Sequence, residues 1–176
     1  MNNNLIMWSM FLTAWLTLFF MKKDKIKKWF PVGLAAIVTT TIIHDVGTTL
    51  GFWATIQPIF PFSEMLPYYY GTMPVLTIWV FKFTYGRFWL YMLVNLVLDI
   101  GFNFFLLSYF LPVRGIFEFN INPLFSLPIT LGHAVVLYIY QIWQDDALLS
   151  TRDIKNYKLQ PSAAKPLPKD DDSKDY

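Results

Sequence analysis

The feature that most constrains this chain is a set of five long apolar runs. Residues Leu5–Met21, Trp29–Leu50, Tyr68–Thr84, Phe88–Phe110 and Leu124–Trp143 each reach the roughly 17 to 25 residues that a helix needs to cross a hydrocarbon core about 30 Å thick. No water in that layer satisfies an exposed backbone group, so a continuous apolar run crosses it as a helix. The alternation expected of barrel strands is absent. Composition agrees, with 55% hydrophobic, 19% aromatic and 15% charged residues, a balance foreign to soluble domains. The expected fold is all-α, a polytopic transmembrane helix bundle of about five spans within residues 1–150. Residues 151–176 are expected to form a disordered cytoplasmic tail, because Pro161, Pro166, Pro168 and Asp170–Asp172 leave too few apolar residues for a core.

Charge sets the orientation. Lys and Arg accumulate on the cytoplasmic side of membrane proteins. With the first connection inside, Lys22, Lys23, Lys25, Lys27, Lys28, Lys82, Arg87 and the six basic residues from Arg152 onward all fall inside, and only Arg114 falls outside. The N-terminus is therefore expected outside and the C-terminus in the cytoplasm. The first run is read as a retained span, because its positive charge follows the apolar residues instead of preceding them. Gly51–Pro67 is apolar but carries Pro58, Pro61 and Pro67, so it is expected to lie at the outer surface or to re-enter against other helices.

Ionisable groups inside spans cost about 2.5 to 3.5 kcal/mol at the helix centre, so each needs a partner, a hydrated cavity or a task. In the fourth span Tyr91, Asn95, Asp99 and Asn103 recur at spacing four and share a helix face. The second span carries Thr40, His44 and Thr48 on one strip and Thr41, Asp45 and Thr49 on the next. His133 sits near the middle of the fifth span, at a depth matching Asp99, and a His133–Asp99 pair would relieve both burial costs. His44, Asp45, Asn95, Asp99, Asn103 and His133 are thus the candidate intramembrane polar site. Interhelical hydrogen bonding is the plainer role for the same residues. Gly47 and Gly51 form a Gly-x-x-x-Gly spacing suited to close helix approach and to homo-oligomerisation.

No cysteine is present, which removes disulfides, thiolate metal sites and a cysteine nucleophile. No His-x-x-x-His or Glu-x-x-His spacing supports a metal site, and Ser108 and Ser126 lack a nucleophile-elbow context. No catalytic residue, cofactor, metal or nucleic-acid partner is expected; the lipid bilayer is the expected partner. Ile42–Gly47 resembles Leu96–Gly101, an echo consistent with a duplicated two-helix unit.

Trp29-Phe30-Pro31, Ile43-His44-Asp45-Val46-Gly47-Thr48, Leu66-Pro67-Tyr68-Tyr69-Tyr70-Gly71 with Met73-Pro74, Phe83-Thr84-Tyr85-Gly86-Arg87, Asn95 with Asp99 and Gly101, and Tyr140-Gln141 with Trp143 together form a pattern. It resembles the uncharacterised small multi-pass membrane proteins of endospore-forming Gram-positive bacteria, over roughly residues 28–143. The resemblance implies a bacterial plasma-membrane location and transfers no activity and no functional residue. Three roles follow from the residues. The first is a non-enzymatic structural or accessory membrane subunit. The second is a small transporter or ion- or proton-conducting protein using Asp99, Asn95, Asn103 and His133. The third is a lipid- or isoprenoid-modifying enzyme using His44, Asp45 and Glu64 as acid and base.

Overall fold

The computed structural model describes residues 2–62, 64 and 66–159, with side chains described as far as 147. Two compact units divide it, Met1–Tyr140 and Gln141–Tyr176. The architecture is mostly helical.

The first unit begins with α1 (Asn3–Thr17), which Asn2 caps by accepting from the Asn4 backbone N–H at 3.1 Å, and a 3₁₀ turn, Leu18–Phe20, closes it. After a short basic connection, α2 (Lys23–Thr49) runs back. Its 27 residues span about 40 Å, more than a bilayer core, so its lysine-rich first turns extend beyond the apolar part. The strand β1 (Trp53–Thr55) follows. Next come α3 (Pro67–Tyr70) and α4 (Thr72–Thr84), then α5 (Phe88–Ile100). That helix continues into ten π-helical residues, Gly101–Phe110, and the short α6 (Leu111–Val113). Strand β2 (Phe117–Phe119) precedes α7, which starts at Pro123 and has its last described residue at Leu159.

Contacts fix two ends of the bundle. At the sheet end, β1 and β2 pair antiparallel with Trp53 opposite Phe119. There Asn3 Nδ2 donates to Gln57 Oε1 at 2.6 Å and to the Arg114 carbonyl at 3.1 Å. At the lysine end, Trp29 meets Tyr85 edge-on with ring centroids 5.0 Å apart. Gly51–Pro67, expected as a peripheral or re-entrant segment, contains β1, whose pairing with β2 was not anticipated.

Four helical stretches are long and apolar enough to cross a membrane: Asn3–Phe20, Lys23–Thr49, Phe88–Val113 and Pro123–Ala147. The expected span Tyr68–Thr84 is instead broken at Gly71, between α3 and α4. A side chain at Gly71 would sit 2.7 Å from the Phe11 Cα, so the break lies where α1 crosses closest. Pro74 has no N–H to give to the Tyr70 carbonyl one turn back, and that carbonyl accepts the Trp15 indole N–H at 3.1 Å. The proline thus frees an acceptor that α1 uses.

Two apolar clusters form the core of the first unit. Toward the lysine end pack Trp29, Val32, Ala36, Ile78, Phe81, Tyr91, Ala134 and Leu137. Toward the sheet end pack Met7, Trp53, Ile59, Leu66, Tyr68, Tyr69, Leu107, Leu111, Ile116 and Phe117. In the second unit, Gln141 Nε2 donates to Asp145 Oδ1 one turn on, at 3.0 Å. Helix persists through residues 151–159, which the sequence reading assigned to the tail. No Gly or Pro stands between Gln141 and Gln160 to stop it. The remainder of the expected disordered tail lies outside the described residues.

Candidate functional site

Between the two clusters lie two adjoining cavities that share Thr40, Met73, Phe102, Thr130 and His133. The larger, about 470 Å³, is lined by Thr77, Asn95, Asp99 and those shared residues, with Leu76, Val80, Val97, Leu98, Gly101 and Phe105 completing its apolar wall. Its size is ordinary for a small-molecule site. The smaller, about 60 Å³, is lined by His44, Asn103, Ser126 and Tyr69 beneath Trp53, Phe117 and Phe119. Five of the six sequence candidates therefore face one or the other cavity. Asp45 is exposed and lines neither.

Helical spacing brings the fourth-span residues part of the way together. Asn95 and Asp99 face the large cavity one turn apart. The π segment begins at Gly101, and its extra residue per turn takes Asn103 off that stripe and into the small cavity. There Asn103 is fully buried; its Nδ2 donates to the Asp99 carbonyl at 2.9 Å, and its Oδ1 accepts from Ser126 Oγ at 2.9 Å. The Ser108 hydroxyl reaches back five residues to the Asn103 carbonyl at 2.7 Å.

His133 and Asp99 line the same cavity, yet the hydrogen bond that His133 makes goes to Thr39, with Nε2 2.7 Å from its Oγ1. The Thr39 hydroxyl proton is given to the Ala35 carbonyl at 2.8 Å, so the imidazole Nε2 donates to Thr39 and the neutral ring carries its lone pair on Nδ1. Asp99 has one carboxylate oxygen, Oδ2, buried without a hydrogen-bond partner, and Thr130 stands beside it. His44 is buried with Nδ1 3.0 Å from the Tyr69 hydroxyl. Its carbonyl accepts the Trp53 indole N–H at 3.1 Å.

Aromatic layers close the large cavity along the bundle axis. One turn toward the lysine end from Thr77, Asn95 and Ala134 lie Phe81, Tyr91 and Tyr138, with Tyr91 4.9 Å from Phe81 and 5.0 Å from Tyr138 between ring centroids. The Tyr91 hydroxyl donates to the Ala134 carbonyl at 2.8 Å and pins that layer to α7. Toward the sheet end, Trp53 stacks on Phe119 within 8° of parallel, and His44 lies against Tyr69. The open side is elsewhere. Val97 and Phe105 line the cavity and are 62% and 61% exposed on the outer surface of the bundle. Gly101, also exposed, lies beside them.

Several sequence expectations meet other arrangements. The Gly47 face is covered by the chain itself, since a side chain there would fall 1.9 Å from the Trp53 ring, and Gly51 is a turn residue with φ of 73°. Glu64 and Asp45 are exposed and line neither cavity, though both stand near enough to His44 to act on its ring electrostatically. Among the described residues, no group of three His, Asp or Glu could hold a metal ion. The echo between Ile42–Gly47 and Leu96–Gly101 is not structural equivalence, because α2 stays α-helical through Gly47 while α5 gives way to the π segment at Gly101. Thr39 and Thr130 were not singled out in the sequence, Ser126 was considered only as a nucleophile, and Tyr69 only as part of the resembling pattern. Ser126, Thr130, His133 and Leu137 do recur at helical spacing on α7, a signal that could have found the first two.

The chain thus has four apolar helices long enough to cross a membrane, and a cavity of mixed polarity among its helices. Comparison of the chain with family models, with curated proteins and with solved structures finds no match.

Proposed function

We propose that the chain is a non-enzymatic accessory protein of the bacterial plasma membrane that holds a lipid-soluble ligand in its large cavity. In this reading it crosses five times, with the N-terminus outside and the C-terminus in the cytoplasm, and the broken α3–α4 pair counts as one crossing. Four unbroken apolar helices and the one-sided distribution of lysine and arginine support the topology. Reporter fusions at both termini test it. Activity of a periplasmic reporter at the C-terminus would overturn the orientation.

The observation that carries the functional reading is the cavity mouth. It is bordered by Val97, Gly101 and Phe105 on the surface that faces lipid, while aromatic layers close both axial directions. An ion or water-soluble solute needs a polar route to an aqueous face. A ligand dissolved in the bilayer needs only a lateral gap. Conduction is therefore the less favoured role for Asp99 and His133.

Photolabelling with a diazirine-bearing alkyl chain in native membranes tests this. Labelled peptides should include the cavity faces of α4, α5 and α7, and Gly101→Phe should remove that labelling. A β-carbon at Gly101 meets nothing within 4 Å, and the backbone there is right-handed helical at φ −60°, so the backbone accepts a side chain at the mouth. Labelling confined to the outer lipid-facing residues, unchanged by Gly101→Phe, would overturn the reading.

A further inference from the structure

The large cavity holds one carboxylate among hydroxyl, amide and imidazole groups. The Thr77 hydroxyl donates to the Met73 carbonyl at 3.0 Å, the Thr130 hydroxyl to the Leu127 carbonyl at 3.1 Å, and Asn95 Nδ2 to the Tyr91 carbonyl at 2.8 Å. Each side chain thus turns a hydrogen back onto its own helix and presents lone pairs to the cavity, while the second Asn95 N–H and the unpartnered Thr40 hydroxyl remain as donors and Thr130 also bonds the Asp99 carboxylate. Asp99 adds a carboxylate, an acceptor only when ionised. The neutral His133 ring gives its hydrogen to Thr39 and retains an unprotonated nitrogen. No Lys or Arg lines the cavity among the described residues.

A carboxylate with one unpartnered oxygen and no cation beside it selects for a hydrogen-bond donor with positive charge. It rejects phosphate and carboxylate headgroups, which would face lone pairs and a like charge with no cation to meet them. Depth narrows the class further. Asp99 lies eleven residues into the span from Phe88, about 17 Å along the helix and so near mid-membrane. A phospholipid cannot bring its ammonium there without also burying its phosphate. Resting on the lateral-access reading above, we propose that the cavity binds a single-chain aliphatic amine. Its ammonium sits against Asp99, Asn95 and Thr130, and its chain leaves past Val97 and Phe105 into the bilayer.

The test uses the full chain in phosphatidylcholine nanodiscs and equilibrium dialysis with radiolabelled dodecylamine, dodecanol and dodecyl phosphate. Gly101→Phe supplies the blank for partitioning into lipid. Dodecylamine should bind saturably at one per chain, at least ten-fold tighter than dodecanol, and dodecyl phosphate should not compete. Asp99→Asn should weaken the amine at least ten-fold; it removes a buried charge while keeping the shape, so the bundle should fold. Thr130→Val, which removes one acceptor at nearly constant volume, should weaken it about three-fold or more. Equal binding of dodecyl phosphate, or full amine affinity in both variants, would overturn the amine assignment while leaving lateral access standing. If no amphiphile shows binding that Gly101→Phe abolishes, the lateral-access reading fails, and this one with it.

Discussion

Gly47→Ala is the sharpest structural test of how the sheet end closes the bundle. A β-carbon at residue 47 would lie 1.9, 2.3 and 2.5 Å from three atoms of the Trp53 ring, whereas carbon atoms pack at about 3.5 to 4.0 Å. The indole must therefore move by more than 1 Å. It cannot do so and keep both its 3.1 Å hydrogen bond to the His44 carbonyl and its stacking on Phe119. Overpacking costs about 1 to 3 kcal/mol, the hydrogen bond about 1 kcal/mol, and the aromatic pair about 0.5 to 1.5 kcal/mol. Strain and lost contacts partly replace one another, so the net effect is about 2 to 4 kcal/mol, a shift of roughly 30- to 1,000-fold toward a detached β1. The chain contains no cysteine, so Thr55→Cys gives a single site for labelling by a water-soluble maleimide. Its labelling rate should rise at least ten-fold on adding Gly47→Ala. Adding Gly101→Ala instead, where a side chain meets nothing, should leave the rate unchanged. A rate within two-fold of the parent in the Gly47→Ala background would refute the packing argument.

Two further substitutions probe the helix contacts. Gly71→Ala drives a methyl against the α1 backbone at Phe11, which cannot yield as a side chain can. It should lower the melting temperature in detergent by more than Trp15→Phe, which removes only the indole bond to the Tyr70 carbonyl, about 1 kcal/mol. Asn103→Leu removes the long-range acceptor of the buried Ser126 hydroxyl and with it the bond that ties the π segment to α7. A loss of about 1 to 3 kcal/mol is expected, read as a lower melting temperature; Ser126→Ala, which leaves the buried Asn103 Oδ1 without its donor, should also lower it, whereas in Asn103→Leu the hydroxyl keeps the Pro123 carbonyl at 2.7 Å.

Helix positions were legible because membrane crossing is a matter of apolar length, and Leu5–Met21, Trp29–Leu50, Phe88–Phe110 and Leu124–Trp143 all lie on helices of that length. The break at Gly71 was less legible, since Pro67 and Pro74 signal a disruption but the crossing of α1 that uses it is a tertiary fact. The β1–β2 pair was not legible at all. Three-residue strands carry almost no periodicity, and these two are separated in sequence by everything from α3 to α6. For the site, spacing four put Asn95 and Asp99 on one face and depth put His133 level with them, and all three line the large cavity. The π segment then diverted Asn103, because nothing in Gly101–Phe110 announces five residues per hydrogen-bonded turn in place of four. The partner of His133 was missed for another reason. Asp99 offered the larger electrostatic gain, but Thr39 on α2 stands within 2.7 Å.

Lateral access is the central claim, and a nitroxide at Thr130→Cys in the otherwise cysteine-free chain measures it directly. Thr130 lines both cavities. In reconstituted bilayers the label should collide readily with molecular oxygen, which concentrates in the hydrocarbon, and hardly at all with a water-soluble nickel chelate. Gly101→Phe should cut the oxygen collisions. Strong relaxation by the nickel chelate from either aqueous side would contradict the account, because it would mark a hydrated path to Asp99 where the aromatic layers should close one.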